Sequence, residues 1–410
     1  MSVAAASVWN TSHVSCSKKL VEFRQITNRT YQASSCLPNA AQRLILCSQM
    51  SFNKAGIRQL KSVRLRHRFR LKCEALCADI PLEGKCENIS KATLVWRAIK
   101  LPMYSVALIP LTVGSAAAYW QTGHCCAERY LTLLVSSVLV IAWLNLSNDV
   151  HDFDKGADRN KKESVVNLVG SRTGTHIVAC LLLALGLIGL TRVSIEAGSL
   201  RSVLLLVYAI FCGYIYQCPP FRLGYVGLGE PLCFAAFGPF ATTAFYLLQS
   251  GTRELAISAT AISSSLLVGF TTTLILFCSH FHQVEDDKAV GKYSPLVRLG
   301  NDVGAKVVKM AVTSLYSLLL ALGLGQALPF SCVSFLGDSR LPFQVLGALT
   351  LPIGKLVSSF VEKNHKDKST IFLAKYYCVR LHTAFGLALA AGLVAARLFV
   401  RKQLPHAIII

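Results

Sequence analysis

Charged residues are scarce in this sequence. Only 15% of its 410 residues are Asp, Glu, Lys or Arg, whereas 53% are hydrophobic, and the mean hydropathy is +0.48. A soluble protein carries about a quarter of its residues as charged side chains. The deficit excludes an ordinary soluble globular protein and predicts a chain that places most of its length in a bilayer.

Acidic residues are nearly absent from the first 74 residues, which hold Glu22 and Glu74 against 13 Lys and Arg. This region is rich in Ser, Ala and Arg and has no apolar run long enough to span a membrane, which is the composition of an organelle transit peptide. Its first dozen residues are uncharged, which favours a plastid over a mitochondrial address. The basic run 62–73 (SVRLRHRFRLKC) is alternatively a nucleic-acid patch, but nothing after it resembles a nucleic-acid-binding fold, so we expect no nucleic-acid partner.

These features give the expected domain organisation. We predict a plastid transit peptide over 1–74 with cleavage near residues 70–80, an N-terminal stromal-side segment over 75–100, a membrane domain over 101–400 and a tail over 401–410.

The 15 cysteines lack the spacing of a metal site. Cys125 and Cys126 are adjacent, Cys73 and Cys77 are four residues apart, and most of the others lie inside apolar runs. Such cysteines are typical of small hydrophobic core residues.

Apolar runs dominate the rest of the chain. Spanning a bilayer takes about 20 apolar residues, and backbone groups in lipid must bond within their own segment, which requires helices. The sequence predicts an all-α multi-pass membrane protein with nine transmembrane helices at 102–120, 129–147, 175–193, 201–217, 229–249, 256–278, 305–328, 342–361 and 380–400.

The loops between these spans differ in charge. Loops after the odd spans are nearly neutral, whereas loops after the even spans carry the acids and most of the bases. Alternate loops share one side of the membrane, so the charged loops share a face with the mature N-terminus. Their excess of Lys and Arg predicts a stromal or cytoplasm-like side.

Two acidic motifs lie on this charged face. The first, Asn148-Asp149-x-x-Asp152, follows the second span and leads to Asp158. Asn148 and Asp152 are four residues apart and share a face if the helix continues that far. The second, QVEDDKAVGK, runs from Gln283 to Lys292 after the sixth span.

Two carboxylate clusters opening towards each other form a hard-oxygen site that suits Mg²⁺, which binds through a few carboxylates, waters and substrate phosphates. Lys and Arg beside the acids indicate that an anion binds with the metal, and a diphosphate meets both demands. The alternative is a solvated polar loop between helices, but clustered acids close to membrane depth favour a functional site.

A third segment on the same face contains tyrosines and Pro219-Pro220. Tyr214, Tyr216 and Tyr225 are each equally consistent with hydrogen bonding near a diphosphate, with stabilising a cation, or with an interfacial aromatic belt. His280 and His282 do not share a helical face, which disfavours a zinc site and leaves open a polar or proton-handling role near an acceptor.

These motifs together resemble the UbiA superfamily of intramembrane prenyltransferases over about residues 95–400. The general family pattern has an Asp where this chain has Gly156, with Asp158 next, and an Asp where it has Gln283. The shift to Gly-x-Asp, with the Pro-Pro segment that runs to Glu230, is similar to the 1,4-dihydroxy-2-naphthoate prenyltransferase branch, in its plant and cyanobacterial form.

The resemblance implies a UbiA-type helix bundle around a membrane-embedded cavity. It also implies Mg²⁺-dependent transfer of a phytyl group from phytyl diphosphate to 1,4-dihydroxy-2-naphthoate with decarboxylation, a step in phylloquinone synthesis, in a thylakoid or inner-envelope membrane. Other acceptors, homogentisate or chlorophyllide, and a membrane transporter remain alternatives.

The expected site residues follow from the motifs and the resemblance. The expected metal-site residues are Asn148, Asp149, Asp152, Asp158, Gln283 and Asp287. The expected diphosphate-binding residues are Lys155, Lys162, Arg172, Arg222, Lys288 and Lys292. The expected catalytic residues are Asp152, Asp287, Lys292 and Tyr214.

Overall fold

The computed structural model describes residues 100–156, 164–250, 255–329 and 346–403. Within these ranges the chain is helical, with turns and short loops between helices and no strand. The predicted transit peptide, nearly all of the predicted stromal-side segment and residues 404–410 lie outside the described residues.

The first half of the described chain contains seven α-helices. A 3-10 turn at Leu101–Tyr104 precedes α1 (Ser105–Thr122), and the following helices are α2 (Ala127–Lys155), α3 (Val165–Val169), α4 (Arg172–Ala197), α5 (Leu200–Gln217), α6 (Gly229–Ala235) and α7 (Thr243–Gln249).

The second half contains long helices joined by short ones. These are α8 (Ala259–Ser279), α9 (Val284–Ala289), α10 (Pro295–Leu299), α11 (Asn301–Leu324), α12 (Leu351–Asn364), α13 (Lys368–Ile371) and α14 (Ala374–Gln403), with 3-10 turns at Phe281–Gln283 and Ala348–Thr350.

Eight helical segments in the described ranges are long and apolar enough to cross a membrane: α1, α2, α4, α5, the continuous run from α6 to α7, the run from α8 to α9, α11, and the run from α13 into α14. This confirms the all-α multi-pass fold. The count differs by one from the predicted nine, because the segment predicted at 342–361 appears as α12, whose 14 residues extend about 21 Å against a hydrocarbon core of about 30 Å. Residues 342–345 of that segment lie outside the described ranges.

The fifth span is interrupted by π-helix. Ala236–Thr242 forms this turn between α6 and α7, with Pro239 inside it. Proline lacks an N–H and clashes with the preceding turn of a regular helix, and a π-bulge accommodates such a residue. Gly238 in this turn lies so close to Gly269 of α8 that a Cβ on Gly238 would come 2.8 Å from the Cα of Gly269. The lack of side chains at both positions lets the two backbones touch.

The outer surfaces of α4 and α5 are apolar. Ile188, Leu185 and Val207 are more than half exposed, although each is a residue type that is normally buried. Such surfaces on helices long enough to span a membrane are suited to lipid contact. The buried core lies on the inner sides, where α2 packs along α4, and α14 packs along α1 and α8.

The polar ends of the spans meet on one side of the bundle. The end of α2 contacts Lys100, the residue before the 3-10 turn that precedes α1, through Asp149, and α9 contacts α13 through Asp286 and Lys368. The loop after α5 bonds to the segment after α9, where the Tyr293 amide donates to the Tyr225 carbonyl at 2.8 Å. The two predicted acidic motifs are therefore on the same face of the protein.

Candidate active site

A cavity of about 340 Å³ opens among the helices below the charged face. Its lining follows α2 from Ser137 to Asp152, a distance of about 22 Å along the helix axis. One part of the wall is polar and includes Asn148, Asp152 and Lys292, and another is apolar and includes Leu206 and Phe245. The space therefore combines a charged end with a hydrophobic remainder.

Asp152 is held at the polar end by two neutral donors. It is buried; its Oδ1 accepts from the Tyr225 hydroxyl at 2.9 Å, and its Oδ2 accepts from the Asn148 amide, also at 2.9 Å. The bond from Asn148 exists because α2 continues to Lys155, which puts residues four apart on one face. Each carboxylate oxygen has a further lone pair available.

Asp287 is held by a cation. It is 5% exposed, and its Oδ1 lies 3.4 Å from the Lys292 ammonium nitrogen, while its Oδ2 has no hydrogen-bond partner among the described residues. The turn that places Lys292 is closed by its amide, which donates to the Asp287 carbonyl at 2.8 Å. Gly291 precedes it with φ +75°, a conformation that favours glycine. A buried carboxylate oxygen without a partner is costly and is suited to a ligand.

Tyr225 connects the two acids. Its hydroxyl bonds Asp152, and its ring centroid lies 5.8 Å from the Lys292 nitrogen that pairs with Asp287. Burial, and then the negative charge of Asp152, raise the pKa of Tyr225 well above its ordinary value. The hydroxyl therefore stays protonated and donates to Asp152 at any pH near neutrality. Asp287 also lies within electrostatic range of Tyr225 and Asp152.

Asp149 faces away from this group. It is buried and absent from the cavity wall; its Oδ1 accepts from Lys100 at 3.0 Å, and its Oδ2 accepts from the Val165 amide at 3.1 Å. Both oxygens thus fix the N-terminal end of the first span and the start of α3 to the end of α2. The structure does not bring Asp149 to the cavity with Asp152, but its partner Lys100 lines that cavity.

The other predicted residues divide into three groups. Gln283 lines the cavity. Lys155 and Lys288 are exposed on the charged face, and Arg172 donates to both oxygens of Asp154, at 3.1 and 2.7 Å. Asp158 and Lys162 lie outside the described residues.

Arg222 and Tyr214 lie in or beside the Pro-Pro loop. Arg222 has φ +46° and is half-buried, with Nη1 unpartnered among the described residues. Tyr214 is 39% exposed, its hydroxyl donates to the Pro219 carbonyl at 3.3 Å, and it does not line the cavity. Tyr216, two residues later, does.

The sequence motifs missed several residues of the site. Tyr225 was one of three tyrosines that sequence could not separate. Lys100 precedes the first span with no motif around it. Glu230 and His280 form a buried pair, with 3.3 Å between Oε1 and Nδ1, and His280 lines the cavity. The sequence had left open a polar or proton-handling role near an acceptor for His280, whereas Glu230 was noted only as the end of the Pro-Pro segment.

The donors at the polar end fit Mg²⁺ better than a metal held by protein alone. No cluster of three or more His, Cys, Asp or Glu side chains with metal-ligand geometry occurs in the described ranges. The donors include the Asp152 carboxylate and the Gln283 amide on the cavity wall, and the Asp287 carboxylate paired with Lys292 of that wall, one of whose oxygens has no partner among the described residues. Mg²⁺ keeps several waters and binds through one or two carboxylates and substrate phosphates. Such a set matches what the cavity offers.

The fold and the site define a class: a polytopic membrane enzyme whose buried acids face a largely apolar cavity. Residues 107–379 match the model of the UbiA prenyltransferase family. The chain is 64% identical over 314 residues to the chloroplastic 2-carboxy-1,4-naphthoquinone phytyltransferase of Arabidopsis thaliana, covering 76% of this chain and 79% of that one. It is 43% identical over 296 residues to the Synechocystis enzyme described as 2-carboxy-1,4-naphthoquinone phytyltransferase, covering 72% and 91%.

The fold also occurs in a solved structure at low identity. The apo structure of a UbiA homolog from Aeropyrum pernix K1 matches with a TM-score of 0.52 at 13% identity, over 72% of this chain and 98% of that one. A UbiA homolog from Archaeoglobus fulgidus bound to DMAPP and Mg²⁺ has a TM-score of 0.49 at 16% identity, over 74% and 99%.

This chain belongs to the UbiA prenyltransferase family. It is a prenyltransferase embedded in a membrane by its apolar helices.

Proposed function

We propose that this enzyme transfers a phytyl group from phytyl diphosphate to 1,4-dihydroxy-2-naphthoate with loss of CO₂, as a step in phylloquinone biosynthesis in a chloroplast membrane. The carrying observation is the group of Asp152, Asp287, Lys292 and Tyr225 at the charged end of a cavity that is otherwise apolar. A prenyl diphosphate has the same division into a multiply charged head and a hydrocarbon tail.

The phytyl group is carried over from the two phytyltransferases described above, and the proposed acceptor, 1,4-dihydroxy-2-naphthoate, is the reduced form of the 2-carboxy-1,4-naphthoquinone after which they are named. The chain covers 79% and 91% of their lengths at 64% and 43% identity. The predicted transit peptide and the chloroplastic relative support a chloroplast membrane, either thylakoid or inner envelope.

The diphosphate would bind against the polar wall. Asp152 and Asp287, with Asn148 and Gln283 beside them, would hold Mg²⁺, which when bound neutralises and orients the diphosphate oxygens as a Lewis acid. Lys292 and Lys100 place positive charge on the same wall. Negative charge grows on the leaving group as the allylic C–O bond breaks, and fixed positive charge stabilises it.

The transfer needs no external base. The C–O bond of the donor breaks and diphosphate leaves with the electron pair. The ring carbon that carries the carboxylate attacks the allylic carbon and forms the new C–C bond. The bond to the carboxylate then breaks, CO₂ leaves, and its electron pair restores the aromatic ring. The apolar wall, including Leu206 and Phe245, excludes water that would otherwise capture the allylic cation.

A transfer assay with the full-length chain in membranes of a heterologous host tests the proposal. Labelled phytyl diphosphate and Mg²⁺ would be offered with dihydroxynaphthoate, homogentisate or chlorophyllide. We expect a labelled phytyl-naphthalenediol, and we expect its formation to stop on chelation and to resume on adding Mg²⁺.

Each other outcome of this assay would overturn a different part of the proposal. Transfer only to homogentisate or chlorophyllide would overturn the acceptor and keep the chemistry of the donor. Transfer that survives chelation would overturn the metal. No transfer from membranes that contain the folded protein would overturn the proposed reaction.

A further inference from the structure

A second set of cavity-lining side chains belongs to neither acidic motif. Phe372, Lys375 and Tyr376 come from the start of α14 and the residues just before it, and His282 comes from the 3-10 turn that precedes the second motif. All four are half-buried. They line the same cavity as Asp152 and Lys292, but the roles assigned to the acidic motifs do not use them.

Lys375 places a cation beside the group of rings formed by Phe372, Tyr376 and His282. The Lys375 nitrogen lies 3.9 Å from the centroid of the Phe372 ring and 5.3 Å from that of Tyr376. The His282 ring stands edge-on to Phe372 at 4.9 Å, and Phe372 and Tyr376 are 5.8 Å apart. Cation–π contact at these distances is attractive and orients the ammonium group.

Lys375 combines a positive charge with aromatic surfaces on the cavity wall. Its ammonium group lies against the rings of Phe372 and Tyr376, so its charge adjoins surfaces that bind a flat ring. A planar aromatic anion matches this combination, because its ring packs edge-to-face or offset on the aromatic residues and its carboxylate accepts a charge-assisted hydrogen bond.

We propose that Lys375 binds the carboxylate of the aromatic acceptor and that Phe372 and Tyr376 pack against its naphthalene ring. This proposal rests on the proposed function, which supplies an acceptor with a carboxylate next to the reacting carbon. It separates the cavity into a donor-head region at Asp152, Asp287 and Lys292 and an acceptor region at the start of α14.

The proposal has a kinetic signature. The carboxylate is present in the bound acceptor and is lost only after the ring has attacked, so Lys375 stabilises the ground state and the first transition state alike. Loss of such uniform binding raises KM and changes kcat little. We therefore expect Lys375→Met to raise the KM of the acceptor and to leave the KM of the donor unchanged.

Equilibrium binding separates this role from a structural one. The full-length protein in lipid nanodiscs would be saturated with Mg²⁺ and inorganic diphosphate, which occupy the donor-head region and prevent turnover. Calorimetry would then give the affinities of two ligands that differ only in the carboxylate, 1,4-dihydroxy-2-naphthoate and 1,4-dihydroxynaphthalene, both kept reduced.

We expect the wild type to bind the naphthoate about tenfold or more tightly than the diol, since a charge-assisted hydrogen bond contributes this much. Lys375→Met and Lys375→Gln should both bring the ratio of the two affinities close to one, while Lys375→Arg should keep a preference for the naphthoate. Phe372→Leu should weaken both ligands by a similar factor and preserve the ratio. The matched control is Lys366→Met, which removes an exposed lysine that pairs with Asp302 on the same face.

A wild-type ratio in Lys375→Met or Lys375→Gln would overturn the proposal, and so would an equal loss in Lys366→Met. Using both Met and Gln keeps the result independent of how either side chain packs. The transfer assay tests the proposed function separately. If the wild type does not prenylate the naphthoate, both the proposed function and the role of Lys375 are wrong. If the wild type prenylates it but the Lys375 variants keep the wild-type ratio of affinities, only the role of Lys375 is wrong.

Discussion

The two acidic motifs each hold one buried carboxylate at the polar end of the cavity in a different way: Asp152 lines the cavity, and Asp287 pairs with Lys292, which lines it. Asp152 is held by two neutral donors, Tyr225 and Asn148, whereas Asp287 is held by the Lys292 ammonium and keeps one oxygen without a partner in the described residues. The first carboxylate has a fixed orientation and no counter-charge among these two donors. The second comes with its own counter-charge, which lowers the cost of burying it and places a cation next to any bound anion.

The neighbouring acids show the same division in both motifs. Asp149 and Asp154 are paired with Lys100 and Arg172, away from the cavity, and Asp286 is paired with Lys368 at 2.9 Å on the surface. In the first motif Asp152 lines the cavity, in the second Asp287 pairs with the cavity-lining Lys292, and the neighbouring acids tie helices together. Each acid-rich motif thus contains one candidate metal-binding acid and other acids that hold helices together, and single substitutions can distinguish the two kinds.

The largest effect is expected from replacing Asp152 and Asp287. Asp152→Asn and Asp287→Asn keep the size of the side chain but remove the charge and replace one acceptor oxygen by a donor NH2 group, and each should lower the transfer rate by about a hundredfold or more, the magnitude seen when one electrostatic stabiliser is lost. The control is Asp154→Asn in the same motif. Wild-type turnover by Asp152→Asn or Asp287→Asn would contradict the assignment of that residue to the metal and diphosphate site.

A smaller effect is expected from the residue that connects the two acids. Tyr225→Phe removes the donor to Asp152 and leaves the ring beside Lys292, so the carboxylate loses its orientation and keeps its charge. We expect the rate to fall about tenfold, the equivalent of one hydrogen bond to a charged group, and the Mg²⁺ concentration for half-maximal rate to rise.

If Tyr225 had a purely structural role, Tyr225→Phe would leave the Mg²⁺ concentration for half-maximal rate unchanged. That result would reject the positioning role. Tyr208→Phe, at an exposed position on α5, controls for loss of a tyrosine hydroxyl elsewhere. Because the pKa of Tyr225 is raised, the ratio of the wild-type rate to the Tyr225→Phe rate should stay constant from pH 7 through the ordinary tyrosine pKa of about 10.

The smallest effect is expected from Asp286→Asn. Its ion pair with Lys368 is well exposed on both sides, and such pairs contribute about 0 to 1 kcal/mol. The transfer rate and the melting temperature in detergent should both match the wild type. A large loss of activity, alongside an active Asp287→Asn variant, would exchange the roles of the two neighbouring residues.

The spans were predictable because lipid leaves the chain few options. A segment such as 175–193 needs only length and hydropathy to be recognised, and the structure places α4 at Arg172–Ala197. The close contact between Gly238 in the π-helical turn and Gly269 of α8 was not predictable, because it depends on how two separate helices pack.

The site was partly predictable because one of its contacts is local. The four-residue spacing of Asn148 and Asp152 predicted a shared helical face, and their side chains do bond. Asp149 could not be separated from Asp152 by sequence, since its partner Lys100 is 49 residues away. Tyr225 is selected over Tyr214 by a loop with no periodicity, whose position is fixed by the bond to Tyr293. The roles of Asp158 and Lys162 stay predictions.

The division of the cavity also bears on reversibility. Under the proposed reaction, the substrates meet where the wall changes from Asp152 and Lys292 to Leu206 and Phe245, and the products then differ sharply in solubility. Diphosphate partitions into the aqueous phase above the charged face, the prenylated ring partitions into the bilayer beside the apolar helices, and CO₂ diffuses into either. Because the products separate into different phases, their local concentrations at the site fall independently, and all of them rarely occupy the site together for the reverse reaction.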